Sequence, residues 1–220
     1  MQVNSGKEEV RLGLSRDEPV AVQQWNGLIA VNYTARKFGI QRLSTSATEA
    51  KKLCPELKLV HVATYAEDDP EPHYYPSPSQ ATHKVCLDPY REASKKIFAI
   101  FGKYGVKIQK IGFDEAFIDV TSYVNDRLIA TYLNQSEWLS KVDESVCNVP
   151  IDWDSLGITV KSKEETLSED ENQDVDWAPT TWSDLQLVIG AELAAEIRKE
   201  VNDQLHYTCS ADPTPEYRAC

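Results

Sequence analysis

Two places in this 220-residue sequence bring together side chains that do chemistry. The first is Asp114-Glu115, within the run Ile111-Gly112-Phe113-Asp114-Glu115-Ala116-Phe117-Ile118-Asp119-Val120. Strand alternation puts Asp114 on one face with Ala116, Ile118 and Val120, a face that is ordinarily core. A carboxylate there must sit at the strand's end or hold a cation, because burying it unpaired is costly. Two adjacent carboxylates at a strand tip suit a hard divalent ion such as Mg2+. The same dipeptide is also common in a solvated turn, where charged residues usually lie.

The second place is Tyr33, Arg36 and Arg42, with Gln24 upstream. Tyr33 and Arg36 are three apart and neighbour each other on a helical face. Arg42 lies just past Gly39. Two guanidiniums and a phenol converging suit a triphosphate, since arginine's planar fork matches phosphate oxygens. An ordinary exposed stripe is the other reading. The histidines at 61, 73, 83 and 206 show no ligand spacing and read as structural. The sequence has no phosphate-binding glycine loop of the P-loop or dinucleotide type and no nucleophile elbow. Tyr74-Tyr75 reads as a packing element.

The elements that must position these groups follow from local signals. Val20 to Trp25 reads as a short strand, broken by Asn26-Gly27. Leu28, Val31, Ala35 and Phe38 fall at helical spacing, so a helix is expected over 28–38, stopped by Gly39. Ser46-Ala47-Thr48-Glu49 is a capping box, opening a helix that Pro55 closes. Leu57 to Ala63 reads as a strand, and the proline-rich 66–83 as a loop. Asp88-Pro89 starts a helix running to about Lys103. Val106–Ile111 and Glu115–Val120 form a hairpin around 112–114, followed by a helix through Leu133. Residues 161–177 are acidic and poor in apolar groups, which predicts disorder. Ser183 to Leu205 is the longest predicted helix, with Leu185, Ile189, Leu193, Ile197, Val201 and Leu205 at four-residue steps. Tyr207 to Ala211 starts as a strand. The opening eighteen residues mix charges and read as surface. This alternation of elements implies an α+β or α/β fold.

Composition narrows the class. With 41% apolar residues the chain can bury a core, and a mean hydropathy of −0.45 goes with no apolar run of membrane-spanning length. The five cysteines, an odd number, form no C-x-x-C, and MQVNSGKEEVRL lacks a signal-peptide core, so reduced thiols in the cytosol or nucleus are expected. The net charge of −12 is uneven: residues 1–110 hold 16 Lys and Arg against 12 Asp and Glu, and residues 111–220 hold 7 against 23. Bulk charge therefore opposes polyanions, and any nucleic-acid contact must be local and mostly in the first half.

Taken together, these segments resemble a family. PVAVQQWNGLIAVNYTARKFGIQRLSTSATEAKKLCPEL, residues 19–57, closely resembles the fingers of Y-family translesion DNA polymerases, and looks like their eta branch. LDPYREASKKIFAIF is similar to the helix that follows there. IQKIGFDEAFIDVTS looks like the second catalytic motif, and DLQLVIGAELAAEIRKEV resembles a palm helix. The resemblance covers about residues 8–211. It implies an α+β fold, a polymerase palm with mixed sheet and packed helices plus a small fingers subdomain. Fingers are expected over 1–62, palm over 63–211 with the acidic insert 161–177, and a divergent tail over 212–220.

The resemblance also implies roles. Asp114 and Glu115 match two metal-binding carboxylates of a site for two Mg2+ ions. Gln24 matches a residue near the template or nucleotide base, and Ile29 one lying over the nascent base pair. Tyr33, Arg36 and Arg42 match contacts to the incoming nucleotide. The implied activity is template-directed nucleotidyl transfer past damaged bases, on a damaged DNA template-primer with deoxynucleoside triphosphates, in the nucleus. Residues 1–7 do not carry the family's first aspartate strand, and Asp212-Pro213-Thr214-Pro215 stands where a lysine-bearing helix start would be. The expectation is thus a polymerase truncated at both ends, inactive by itself, with weak DNA binding and no thumb or little finger. The alternative is a non-catalytic product binding nucleotide or a repair partner.

Overall fold

The computed structural model describes residues 3–133, 149–152, 156 and 180–213. The acidic segment 161–177 and most of the tail lie outside the described residues. The chain divides into two compact units: residues 1–99, 110–116 and 201–209 in the first, and 100–109, 117–200 and 210–220 in the second.

The first unit opens with helix α1 (Val3–Leu12), against which strands β1 (Val20–Gln24) and β2 (Gly27–Val31) pack. Residues 3–12 are not the surface segment the mixed charge suggested: Ser5 and Glu8 are buried. The strands form an antiparallel hairpin pairing Ala21 with Val31 and Gln24 with Gly27. Asn-Gly at the turn is a strong hairpin signal. Here it overrules the helical spacing of Leu28, Val31, Ala35 and Phe38. Only α2 (Tyr33–Arg36) is helical in that stretch, and Phe38 is exposed.

Gly39, at φ +78°, ends that turn. Helix α3 (Ala47–Leu53) follows, and the Ser46 hydroxyl accepts the Glu49 N–H at 3.1 Å, as the capping box demands. Strand β3 (Lys58–His61) pairs parallel to β1, so β1 is central in the order β2-β1-β3. Both faces of β1 are covered, which is why Val20-Ala21-Val22 is a continuous apolar run. Ala21 joins Leu28, Val31, Ala35, Ile40, Ala50, Cys54 and Leu57 on one side. Val22 joins Ala30, Val62 and Tyr90 on the other.

The proline-rich stretch is not wholly a loop. Strands β4 (Thr64–Ala66), β5 (Asp69–His73) and β6 (His83–Val85) form an antiparallel sheet in the order β5-β4-β6. Pro70 and Pro72 are tolerated because β5 is an edge strand, where missing N–H donors cost little. Helix α4 (Asp88–Gly102) begins at the expected Asp-Pro and ends one residue before the predicted limit.

The hairpin expected around 112–114 is β7 (Lys107–Lys110) with β8 (Ala116–Asp119), a two-stranded sheet. In the second unit, α5 (Thr121–Leu128) runs into a π-helical turn, Ile129–Leu133. Val124 and Leu128 pack on Leu185 and Ile189 of helix α6 (Trp182–Leu205). Thr181 and Asp184 cap α6 reciprocally, Asp184 Oδ2 accepting the Thr181 N–H at 2.9 Å and Thr181 Oγ1 the Asp184 N–H at 3.2 Å. Residues 206–213 are irregular, so no strand forms over Tyr207–Ala211; among the described residues none offers that segment a ladder. The fold is mixed α+β.

Candidate functional site

Gln24, Ile29, Tyr33 and Arg36 lie on three consecutive elements, β1, β2 and α2. Gln24 ends β1 and is half-buried. The next residue, Trp25, adopts φ +56° and turns the hairpin. Its N–H donates to His61 Nε2 at 2.9 Å, and the two rings lie 5.1 Å apart. With Nε2 accepting, Nδ1 is the donor to the Val62 carbonyl at 2.8 Å. His61 is therefore structural, holding the turn next to Gln24. Ile29 is partly buried beside Val22, Ala30 and Tyr90.

Tyr33 is 54% exposed, and Arg36 stands with its guanidinium 5.3 Å from the Tyr33 ring centre. Arg36 Nε donates to the Val31 carbonyl at 3.1 Å, fixing the stem of the group. Arg42 is exposed in a loop anchored on both sides: Leu43 N–H donates to the Leu28 carbonyl at 3.0 Å, and Gln41 N–H to Thr45 Oγ1 at 3.0 Å. Neither Arg36 nor Arg42 has a carboxylate partner among the described residues. In a chain of net charge −12, two guanidiniums without an ion-pair partner on adjoining elements are suited to an anionic ligand.

Asp114 and Glu115 lie in the loop between β7 and β8, Asp114 half-buried and Glu115 exposed. The Glu115 carbonyl accepts N–H bonds from Ile111 at 3.0 Å and Gly112 at 3.3 Å, closing the turn. The Arg91 guanidinium lies 5.6 Å from the Phe113 ring centre, and Lys110 Nζ 4.1 Å from that of Phe98. Both carboxylates and the Tyr33–Arg42 group belong to the first unit. No ion pair joins Asp114 or Glu115 to Arg36 or Arg42 among the described residues. No three His, Cys, Asp or Glu side chains there gather as a metal centre requires. The described residues thus do not by themselves complete a divalent-cation site. Asp119, the last acid of the motif, has another task. Its Oδ1 accepts the Thr121 N–H at 3.0 Å, and bonding from Thr121 holds its carboxyl below the usual range.

Two residues of the framework escaped the sequence reading. Glu8 is fully buried, its carboxylate accepting from Tyr74 and Tyr90 hydroxyls at 3.0 Å each, Lys7 Nζ at 3.1 Å and Arg11 Nε at 2.6 Å. Burial, with Glu8 beside them, pushes both tyrosine hydroxyls well up. The other is Asn32, buried immediately before Tyr33. The signal available was an Asn preceding a short helix, the composition of an N-cap.

The matched family model, described as the impB/mucB/samB family, covers residues 4–212. The chain is 39% identical over 212 residues to N-acetyltransferase eso1 of Schizosaccharomyces pombe, covering 93% of this chain and 23% of that protein. It is 30% identical over 237 residues to DNA polymerase eta of Saccharomyces cerevisiae, covering 97% of this chain and 37% of the relative. To DNA polymerase iota of Drosophila melanogaster it is 32% identical over 204 residues, covering 93% and 21%. The chain therefore spans well under half the length of these relatives. On a match running through β1–β2–α2 and the Asp114-Glu115 turn alike, the chain belongs to the impB/mucB/samB family of Y-family DNA polymerases.

Proposed function

We propose that this chain is the nucleotide-gripping region, and part of the carboxylate centre, of a translesion DNA polymerase. In this reading residues 1–62 are fingers and 63–211 palm. Arg36 and Arg42 bind the triphosphate, with Tyr33 beside them, while Gln24 and Ile29 face the base pair. Cations on the phosphate tail neutralise charge that builds as the α-phosphate is attacked. Asp114 and Glu115 would supply two of the carboxylates that hold Mg2+ in the complete polymerase, where the metal would lend Lewis-acid charge stabilisation to phosphoryl transfer. The enzyme works in the nucleus on damaged template-primer. The single observation supporting this most strongly is the pair of arginines left without carboxylate partners on elements whose backbone is otherwise pinned.

A further reading for these 220 residues by themselves is that they bind nucleotide without polymerising. It rests on Arg36 and Arg42, unpaired with carboxylates among the described residues, rather than on Asp114 and Glu115. Calorimetric titration with a deoxynucleoside triphosphate and Mg2+ tests both. Binding is expected, and Arg36→Ala weakens it roughly ten- to hundredfold, the worth of a charge-assisted bond. Primer extension by residues 1–220 is expected to be absent. Absence of heat at millimolar nucleotide rejects the binding role, and robust extension rejects the inactivity.

A further inference from the structure

Asn32 is 5% exposed, and its side chain is bonded to four separate places in the chain. Its Oδ1 accepts the Ala35 N–H at 2.9 Å and the Val20 N–H at 3.1 Å. Its Nδ2 donates to Glu9 Oε1 at 3.0 Å and to the Glu18 carbonyl at 2.9 Å. A side-chain amide has two acceptor and two donor positions, so all of Asn32 is used. Helix capping alone needs only the acceptor half, which Ser, Thr or Asp supplies equally well. The donor half demands an amide: an aspartate there sets a carboxylate against Glu9.

The excess over capping has a consequence for α2. With four residues, α2 is far too short to hold its own direction. Its course is set by what grips its first turn, which is Asn32, tied to α1 through Glu9, to the approach to β1 through Glu18, and to β1 through Val20. Tyr33 is the first residue of α2 and Arg36 the last. Arg36 is held a second time through Nε to Val31, on the other side of Asn32. Both side chains therefore project from a backbone referenced to one buried amide.

We propose that Asn32 is a positioning residue that aims Tyr33 and Arg36 at the phosphate groups of a nucleoside triphosphate. This rests on the nucleotide-binding reading above. Asn32 touches no ligand itself; it acts through the start of α2. Its effect falls on affinity for the phosphate tail, leaving the base and sugar untouched.

The test compares calorimetric titrations of deoxyadenosine triphosphate and of deoxyadenosine, with Mg2+, on the 220-residue chain and its variants. Asn32→Asp keeps both acceptor bonds and loses the donors; it should weaken triphosphate binding about fivefold or more with nucleoside binding unchanged. Adding Glu9→Gln to that variant restores a donor toward position 32 and should recover most of the affinity. Glu9→Ala, which spares the cap, covers the case in which Asn32→Asp does not fold, and should give a smaller loss of the same selectivity. Folding is checked by near-ultraviolet circular dichroism. Triphosphate affinity within twofold of wild type in folded Asn32→Asp or Glu9→Ala, while Arg36→Ala weakens it, overturns the positioning role. Equal losses for triphosphate and nucleoside also overturn it, since they show a general loss of structure. If wild type binds no triphosphate, or Arg36→Ala changes nothing, the nucleotide reading fails and the role of Asn32 falls with it.

Discussion

The segment from Val20 to Arg42 and the loop 111–115 both carry residues suited to chemistry, and they are built on opposite terms. The first belongs to a sheet whose central strand is covered on both faces, with Leu28, Val22 and Ala35 fully buried. Within it Asn32, and against it Glu8 of α1, have their polar side-chain atoms engaged. The second sits on a two-stranded ribbon with Ile111, Phe113 and Phe117 each about half exposed. Such a ribbon is marginal by itself. The difference is that Arg36 is held by its own side-chain bond and Arg42 stands in a loop pinned through the backbone on both sides. The two carboxylates sit instead in the turn of an exposed ribbon.

The strongest way to break this comparison is Glu8→Ala. It strips four donors of their acceptor and leaves Lys7 and Arg11 partly buried without a counter-charge, so about 3–5 kcal/mol of stability should be lost. Phe113→Ala in the ribbon should cost no more than about 1 kcal/mol, the worth of a half-exposed ring with one guanidinium over it. Urea unfolding of both variants decides; equal losses would erase the distinction between the two regions.

Ser46→Ala sharpens the comparison within the framework. Losing the α3 cap should cost about 1 kcal/mol, without altering the cooperativity of unfolding. A null result would mean that packing of Ala47 and Ala50 alone holds α3 in place.

The smallest effect is a pH dependence. Burial raises the Glu9 carboxyl above its ordinary value of 4.5, opposed in part by the Asn32 hydrogen bond and by Arg16. A carboxyl that holds its proton more tightly when folded adds stability below 4.5, and that stability is lost as pH rises through the folded value. Glu9→Gln keeps an acceptor for Asn32 but does not titrate. The gap in urea midpoint between Glu9→Gln and wild type should therefore shift in favour of the variant as pH rises from below 4.5 to neutrality. The shift is modest because Glu9 is only half-buried and solvent screens it. A gap independent of pH would show that Glu9 does not titrate differently on folding.

Elements governed by neighbours in sequence were legible from the residues alone. The Ser46 cap, the Asp88-Pro89 start, the 112–114 bend and the four-residue steps of α6 each encode a local geometry, and each stands where it was expected. The family, too, was legible in residues 19–57. Where two periods fit the same residues, local reading failed. Leu28, Val31 and Ala35 satisfy a helical stripe, and they also suit a strand feeding a short helix; pairing with β1 chose the second.

What only tertiary structure decided was which polar groups lie inside. Glu8 reads as one acid in a charged opening, and its burial depends on Tyr74 and Tyr90, 66 and 82 residues away. Asn32 reads as a surface polar residue or a simple cap until Glu9, Glu18, Val20 and Ala35 converge on it. Likewise, the prolines of 69–73 argued against a strand until β4 offered them an edge. Propensity, capping and turn chemistry act over a few residues and are written in the sequence; desolvating a charge or an amide is favourable only when distant partners arrive together, and that convergence belongs to the fold.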